Sequence, residues 1–146
     1  MKFSTKGRYG LRAMVDLAVH SKGEHVALHS IAERQGISMN YLEQVFSMLR
    51  KAGLVKSVKG AQGGYVLSEC STDIKVGSIL RVLEGSLSVI DENSGGNETC
   101  IQHCIKINVW DKMNASLNGL LDSLTLEDLE ENYRKMNGMG NTMYYI

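Results

Sequence analysis

The sequence predicts a mostly α-helical chain with one small β-hairpin. Three observations lead there. Apolar residues recur at three- and four-residue spacing over most of the length. The 146 residues contain no proline, so nothing imposes the rigid breaks of a loop-rich fold. One short stretch, residues 54–67, alternates as strands do on either side of a glycine-rich turn. At 43% hydrophobic the chain can bury a core, and with one Trp, two Phe and six Tyr much of that core falls to leucine and methionine.

Taken in order, Ser4 and Thr5 can cap a first helix running to residue 20. Leu11, Met14, Val15, Ala18 and Val19 form its inward stripe, opposite Lys6, Arg8 and Arg12. Ser21, Lys22 and Gly23 stop it. Residues 27–36 make a short second helix closed by Gly36, and Ser38 is an N-cap for a third over 39–52. Two helices joined by a brief glycine-containing turn are a helix-turn-helix. In the third helix Leu42, Val45, Phe46 and Leu49 face inward, leaving Asn40, Tyr41, Glu43, Gln44 and Ser47 outside. Gly53 ends it. Residues 54–58 and 65–67 then pair across 59–64 as a wing whose glycines admit a close backbone approach.

A short helix over 76–83 turns Ile79 and Leu83 inward, and 84–98 is a polar loop. Cys100, His103 and Cys104 stand at the mouth of a long helix that starts at 101 or 105 and ends at 123. Its apolar seam, Ile105, Val109, Met113, Leu117, Leu120, Leu121 and Leu124, is too long for so small a core unless a second copy covers it, which predicts a homodimer. Thr125 to Asp128 cap a last helix to residue 135, and a Gly- and Asn-rich tail follows. The expected organisation is a winged helix-turn-helix domain over 1–83, a sensor loop over 84–104, dimerisation helices over 105–135 and a C-terminal tail over 136–146.

Net charge is zero, but its distribution is not even. Residues 1–66 carry ten basic and four acidic side chains; residues 67–146 carry six and twelve. The front half therefore favours a polyanion, and the rest discourages diffuse adhesion to nucleic acid. The apolar runs fall short of the roughly 18–20 residues of a membrane span, and the first ten residues lack a signal core. A cytoplasmic protein with no membrane partner is expected, its cysteines thiols or metal ligands rather than disulfides. No Ser/His/Asp motif, phosphate loop or dinucleotide fingerprint is present, so an enzyme is not expected. His20, His25 and His29 read as surface or partly buried histidines, and the eight methionines as packing.

A helix in the major groove reads bases with its exposed N-terminal residues. Here these are Ser38, Asn40, Tyr41, Glu43 and Gln44. Asn or Gln pairs with adenine through two hydrogen bonds, and Glu accepts from cytosine. Lys6, Arg8, Arg50, Lys51, Lys56 and Lys59 are phosphate contacts that fix register, with Gln62 and Gly63 in the wing turn. Cys100 and Cys104 share a helix face with His103 between them. A helix N-terminus favours thiolate, and thiolate with imidazole is a soft donor set for an iron–sulfur cluster or zinc. A redox-sensing thiol pair, or cysteines with no sensing role, are the other readings.

The chain resembles the dimeric winged helix-turn-helix regulators of the IscR/NsrR/CymR family. The matching residues are Ser4-Thr5-Lys6-Gly7-Arg8-Tyr9-Gly10-Leu11; Ile37-Ser38 with Tyr41-Leu42-Glu43-Gln44; Leu49-Arg50-Lys51-Ala52-Gly53-Leu54-Val55; Gly60 with Gly63-Gly64-Tyr65; Val82-Leu83-Glu84-Gly85; and Thr125-Leu126-Glu127-Asp128-Leu129. The resemblance covers nearly the whole chain. It implies a repressor of iron–sulfur cluster or cysteine and sulfur metabolism genes that binds double-stranded DNA, at a palindromic operator, as a two-fold dimer. It also implies an iron–sulfur cluster, [2Fe–2S] ahead of [4Fe–4S]; Cys100 and Cys104 are the candidate ligands here, with His103, a loop carboxylate or a group from the other subunit to complete the set, and a cofactor-free regulator is the alternative. Cluster-binding members carry three cysteines before the long helix, whereas here there are two, Ile107 stands where IscR-type members have a histidine ligand, and Cys70 lies well upstream. The end of the chain, Tyr144-Tyr145-Ile146, resembles that of CymR-type members. That likeness implies docking to O-acetylserine (thiol)-lyase, backbone N–H groups holding the free carboxylate while the isoleucine fills an apolar pocket.

Overall fold

The computed structural model describes residues 2–91 and 96–144, with side chains described as far as residue 138. Helix α1 (Thr5–Ser21) is the hub. Ser4 caps it, its hydroxyl accepting the Gly7 N–H, and the chain leaves it through Lys22 in the left-handed region. Helices α2 (Leu28–Gln35) and α3 (Met39–Lys51) lie on one side of α1, joined at Gly36, whose φ of 65° closes the turn. Strands β1 (Val55–Val58) and β2 (Gly64–Leu67) pair antiparallel, Val55 opposite Leu67 and Val58 opposite Gly64.

The predicted inward stripe of α1 divides in two. Met14 and Ala18 are buried, together with Ala13 and Leu17, against Ile31, Leu42, Val45, Phe46 and Leu49. Leu11, Val15 and Val19 are half-buried and face a groove shared with Leu129, Tyr133 and Met136. The split arises because α1 has neighbours on both sides. Asp16, which the sequence gives no reason to bury, is 3% exposed. Its carboxylate accepts from Arg34 Nη2 at 2.7 Å, Arg34 Nε at 3.0 Å and Gln35 Nε2 at 2.9 Å, clamping α1 to α2. The same contact holds the Arg34 guanidinium more firmly protonated than usual.

Helix α4 (Val76–Glu84) docks on the start of α1. Glu84 Oε1 accepts from Ser4 N–H at 2.8 Å, Ser4 Oγ at 2.6 Å and Gly7 N–H at 3.1 Å. The two N–H groups are backbone donors that a helix start leaves outside its own ladder, and the helix dipole favours a carboxylate there. The approach needs glycine: a Cβ on Gly7 would sit 2.3 Å from that oxygen, and one on Gly10 2.2 Å from Leu83 Cδ1.

Helix α5 (Cys100–Ile105) runs through a π turn (Lys106–Trp110) into α6 (Asp111–Ser123). Together they form one rod about 36 Å long at 1.5 Å per residue. Of the two expected helix starts, 101 and 105, the earlier is within one residue of the observed one, so residues 100–104, grouped with the expected sensor loop, are helical. The reason is a capping box: Thr99 Oγ1 accepts Gln102 N–H at 3.1 Å and Gln102 Oε1 accepts Thr99 N–H at 2.7 Å. At the far end of the rod Leu121 is buried, and Leu117 and Leu124 pack with it on Val76, Leu80 and Leu87 as a second core.

Helix α7 (Leu126–Tyr144) returns to α1. Leu126 is fully buried in the first core, and its N–H donates to Ile74 O at 2.8 Å. The predicted end of this helix at residue 135 is corrected: it continues to Tyr144, so residues 136–144 of the expected tail are helical. Each glycine there lowers helix propensity by only about 1 kcal/mol, and no proline breaks the ladder. Tyr145 and Ile146 and the side chain of Tyr144, the expected docking peptide, lie outside the described residues.

A Cβ at position 7 must displace a carboxylate held by three donors. Gly7→Ala is therefore expected to lower unfolding stability by about 2–3 kcal/mol, read as a shifted urea midpoint with unchanged slope. Gly119→Ala on α6, where a Cβ meets open space, should not destabilise.

Candidate nucleic-acid interface and cysteine segment

The third helix is built to expose its first turns. Ser38 Oγ accepts Tyr41 N–H at 3.2 Å, and Leu42, Val45, Phe46 and Leu49 are buried beneath. Ser38, Asn40, Glu43 and Gln44 consequently stand on the surface. Tyr41 differs. It is half-buried, and its ring meets Tyr9 edge-on with centroids 5.9 Å apart, so it also docks α3 on α1. Arg12 lies 5.1 Å and Arg8 6.0 Å from the Tyr9 centroid. Arg12 also donates to the Gln35 carbonyl, bracing α1 against the end of α2.

The wing is fixed to the same helix. Tyr65 at the head of β2 packs on Phe46 with ring centroids 4.8 Å apart. Lys56, Lys59 and Gln62 are exposed, and Gly63 is half-buried where a Cβ would strike Val58 O at 2.3 Å. Arg50 and Lys51 are exposed at the end of α3; Arg8 is exposed and Lys6 half-exposed at the start of α1. Four of the five predicted base-reading residues are thus exposed at the start of α3, with Tyr41 half-buried beside them, and the wing lysines are exposed on the hairpin that packs against the same helix. Sequence reasoning missed the supports: Asp16, Tyr9, and the bonding of residues 25 and 26 to the wing. A residue repeat does not reveal partners so distant in the chain.

In the other candidate segment, Cys100 and Cys104 are free and exposed on α5, and Cys70 is free and exposed elsewhere. His103 Nδ1 pairs with Glu98 Oε2 at 3.0 Å. Asn108 Nδ2 donates to the Cys104 carbonyl at 2.8 Å, within the π turn. Among the described residues no three His, Cys, Asp or Glu side chains gather in a way that could hold a metal ion. An iron–sulfur cluster takes four protein ligands, so the described donors of one chain do not by themselves fit one. The rod is tied to the head behind this segment. Arg81 Nη1 pairs with Asp122 Oδ1 at 2.7 Å and holds that carboxyl below its usual range. Asn118 Nδ2 donates to Leu87 O at 3.1 Å, and Asn114 Oδ1 accepts Val89 N–H at 2.7 Å.

Residues 3–132 match the Rrf2 family model, described as an iron-dependent transcriptional regulator. The HTH-type transcriptional regulator IscR of Serratia proteamaculans is 40% identical over 136 residues, covering 90% of this chain and 80% of that protein. Its namesake in Photobacterium profundum is 40% identical over 144 residues, covering 94% and 81%. Among solved structures, CymR, the global cysteine regulator of B. subtilis, superposes with a TM-score of 0.77 at 42% identity, covering 90% of this chain and 98% of that one. T. potens IscR does so with a TM-score of 0.72 at 50% identity, covering 91% and 88%. Among the described residues no helix is long and apolar enough to cross a membrane. The chain belongs to the Rrf2 family, and it is a DNA-binding transcriptional regulator of winged-helix fold rather than an enzyme.

Proposed function

We propose that the protein is a repressor that grips a palindromic operator as a homodimer and controls genes of iron–sulfur or cysteine metabolism. The observation that carries this reading is the bare apolar strip on the α5–α6 rod. Ile101 is 73% exposed, Leu120 59% and Met113 47%, with Ile105 and Val109 also uncovered. A second copy covers such a strip by two-fold pairing of like against like. Each head then offers Ser38, Asn40, Tyr41, Glu43 and Gln44 to a major groove, in half-sites about 34 Å apart. Lys6, Arg8, Arg50, Lys51, Lys56 and Lys59 take the phosphates, together with the wing turn at Gln62 and Gly63. The gene class rests on the relatives: a family described as iron-dependent and a neighbour described as a global cysteine regulator.

The signal enters at the exposed thiols of Cys100 and Cys104. Cluster binding there draws its remaining ligands from outside the described residues of one chain. Cluster-free control through a lyase docked on Tyr144, Tyr145 and Ile146 is the second reading, favoured by the likeness to CymR.

Affinity for an operator duplex should fall steeply with salt, as neutralised phosphates release counterions; a flat salt titration removes the DNA reading. Glu43→Ala is expected to change which duplexes are selected from a random pool. Lys59→Ala should instead weaken all duplexes alike and reduce the salt slope by about one. Val109→Asp places a charge in the strip and should yield a half-mass species in sedimentation equilibrium that binds operator at least about tenfold more weakly. Anaerobic reconstitution with iron and sulfide tests the thiols. Visible absorption lost in Cys104→Ser supports a cluster, and a colourless iron-free protein leaves the tail-docking reading, checked by deleting residues 145 and 146.

A further inference from the structure

The connection between α1 and α2 does more than join them. It turns through Lys22 (φ 36°) and Gly23 (φ 83°) and then runs antiparallel beside β2. Val26 N–H donates to Tyr65 O and Tyr65 N–H to Val26 O, both at 2.9 Å. Gly64 lies under this crossing, where a Cβ would sit 2.2 Å from Val26 O. The wing is thereby widened, at the turn end of β2, by a third, one-residue strand. One residue earlier, His25 Nε2 reaches over to the carbonyl of Gln62. A carbonyl only accepts, so Nε2 carries the proton and donates.

This second contact grips the turn itself rather than the strand that follows it. Lys59, Gly60, Ala61 and Gln62 are all exposed, and Gly60 has a φ of 124°. Within the turn itself, Gly63 N–H donates to Gly60 O at 3.1 Å. Glycine-rich turns lose the most conformational freedom on being ordered, and ordering a loop during binding subtracts from affinity. A donor anchored to the body of the domain removes part of that loss in advance.

We propose that His25 is a positioning residue for DNA binding: its imidazole N–H holds the Gln62 carbonyl and so presets the wing turn for the phosphate backbone. The proposal rests on the reading of the wing as a DNA contact. His25 acts through Lys59 and Gln62, and its own contact with DNA is not required.

The test uses the full chain and a duplex that the wild-type protein has selected from a random-sequence pool. Affinity and salt slope are measured for His25→Phe, His25→Gln, Lys59→Ala and the double variant His25→Phe/Lys59→Ala. His25→Phe keeps the ring but loses the donor, and is expected to bind about three- to tenfold more weakly. His25→Gln restores an N–H of similar reach and should return to within about twofold of wild type. The double variant should be no more than about twofold weaker than Lys59→Ala alone, because both changes act through one wing. A merely structural role predicts neither the rescue nor the non-additivity. Unfolding midpoints report any loss of fold; should His25→Phe lower its own, the comparison passes to His25→Ala. Wild-type affinity in His25→Phe, beside a weakened Lys59→Ala, overturns the tether and leaves the wing contact standing. Fully additive losses, or no rescue by glutamine, also overturn it. A Lys59→Ala protein indistinguishable from wild type overturns the wing contact, and the tether with it.

Discussion

The structure depends on one carboxylate. Glu84, the last residue of α4, places an oxygen against Ser4 N–H, Ser4 Oγ and Gly7 N–H at the start of α1. That contact exists only because Gly7 and Gly10 leave room for α4 to approach. Helix α1 carries the whole DNA-binding head, since α2, α3, β2 and α7 all pack on it. Helix α4 in turn carries the rod, through Arg81 and Asp122 and through the second core at Val76, Leu80 and Leu121. The joint between head and rod is therefore one helix whose last turn carries both holds, Glu84 on the donors at the start of α1 and Arg81 on Asp122 of α6.

Within the head, each part proposed to meet DNA is braced from behind. The recognition helix is held by a ladder of buried apolar residues and by Tyr41 against Tyr9. The wing is held by Tyr65 on Phe46 and by Val26. The turn before the recognition helix is steadied because Asp16 fixes Arg34 and Gln35 at the end of α2. Exposed side chains on rigid elements read bases with less entropic loss than side chains on free loops. In this protein the polar face and the wing are set by packing before any DNA arrives.

Local features of the fold were readable in the sequence and tertiary ones were not. Gly36, Ser38 and the Leu42-Val45-Phe46-Leu49 spacing announce the helix-turn-helix because caps and periodicity are local. The wing is announced in the same way by alternation around glycines. The site residues on α3 follow, since an inward stripe defines the outward face by subtraction. By contrast Asp16 lies on α1 while its partners stand 18 and 19 residues later, and no periodicity marks a buried acid. The start of α5 at Cys100, one residue from the earlier of the two expected starts, has a local signal in Thr99 three residues before Gln102. The overrun of α7 past residue 135 reflects the weakness of glycine as a stop signal without proline behind it.

The π turn between α5 and α6 contains one more residue than an α-helical path would use. Its consequence is angular. Each residue of an α-helix advances the facing direction by about 100° and the length by only 1.5 Å. The direction in which Cys100 and Cys104 point, relative to the Asn114, Asn118 and Asp122 face that grips the head, is thus set by the residue count between Lys106 and Trp110. A single deletion there hardly shortens the rod, yet it swings the thiols to another compass point. The turn acts as a dial between the end that carries the thiols and the anchored end.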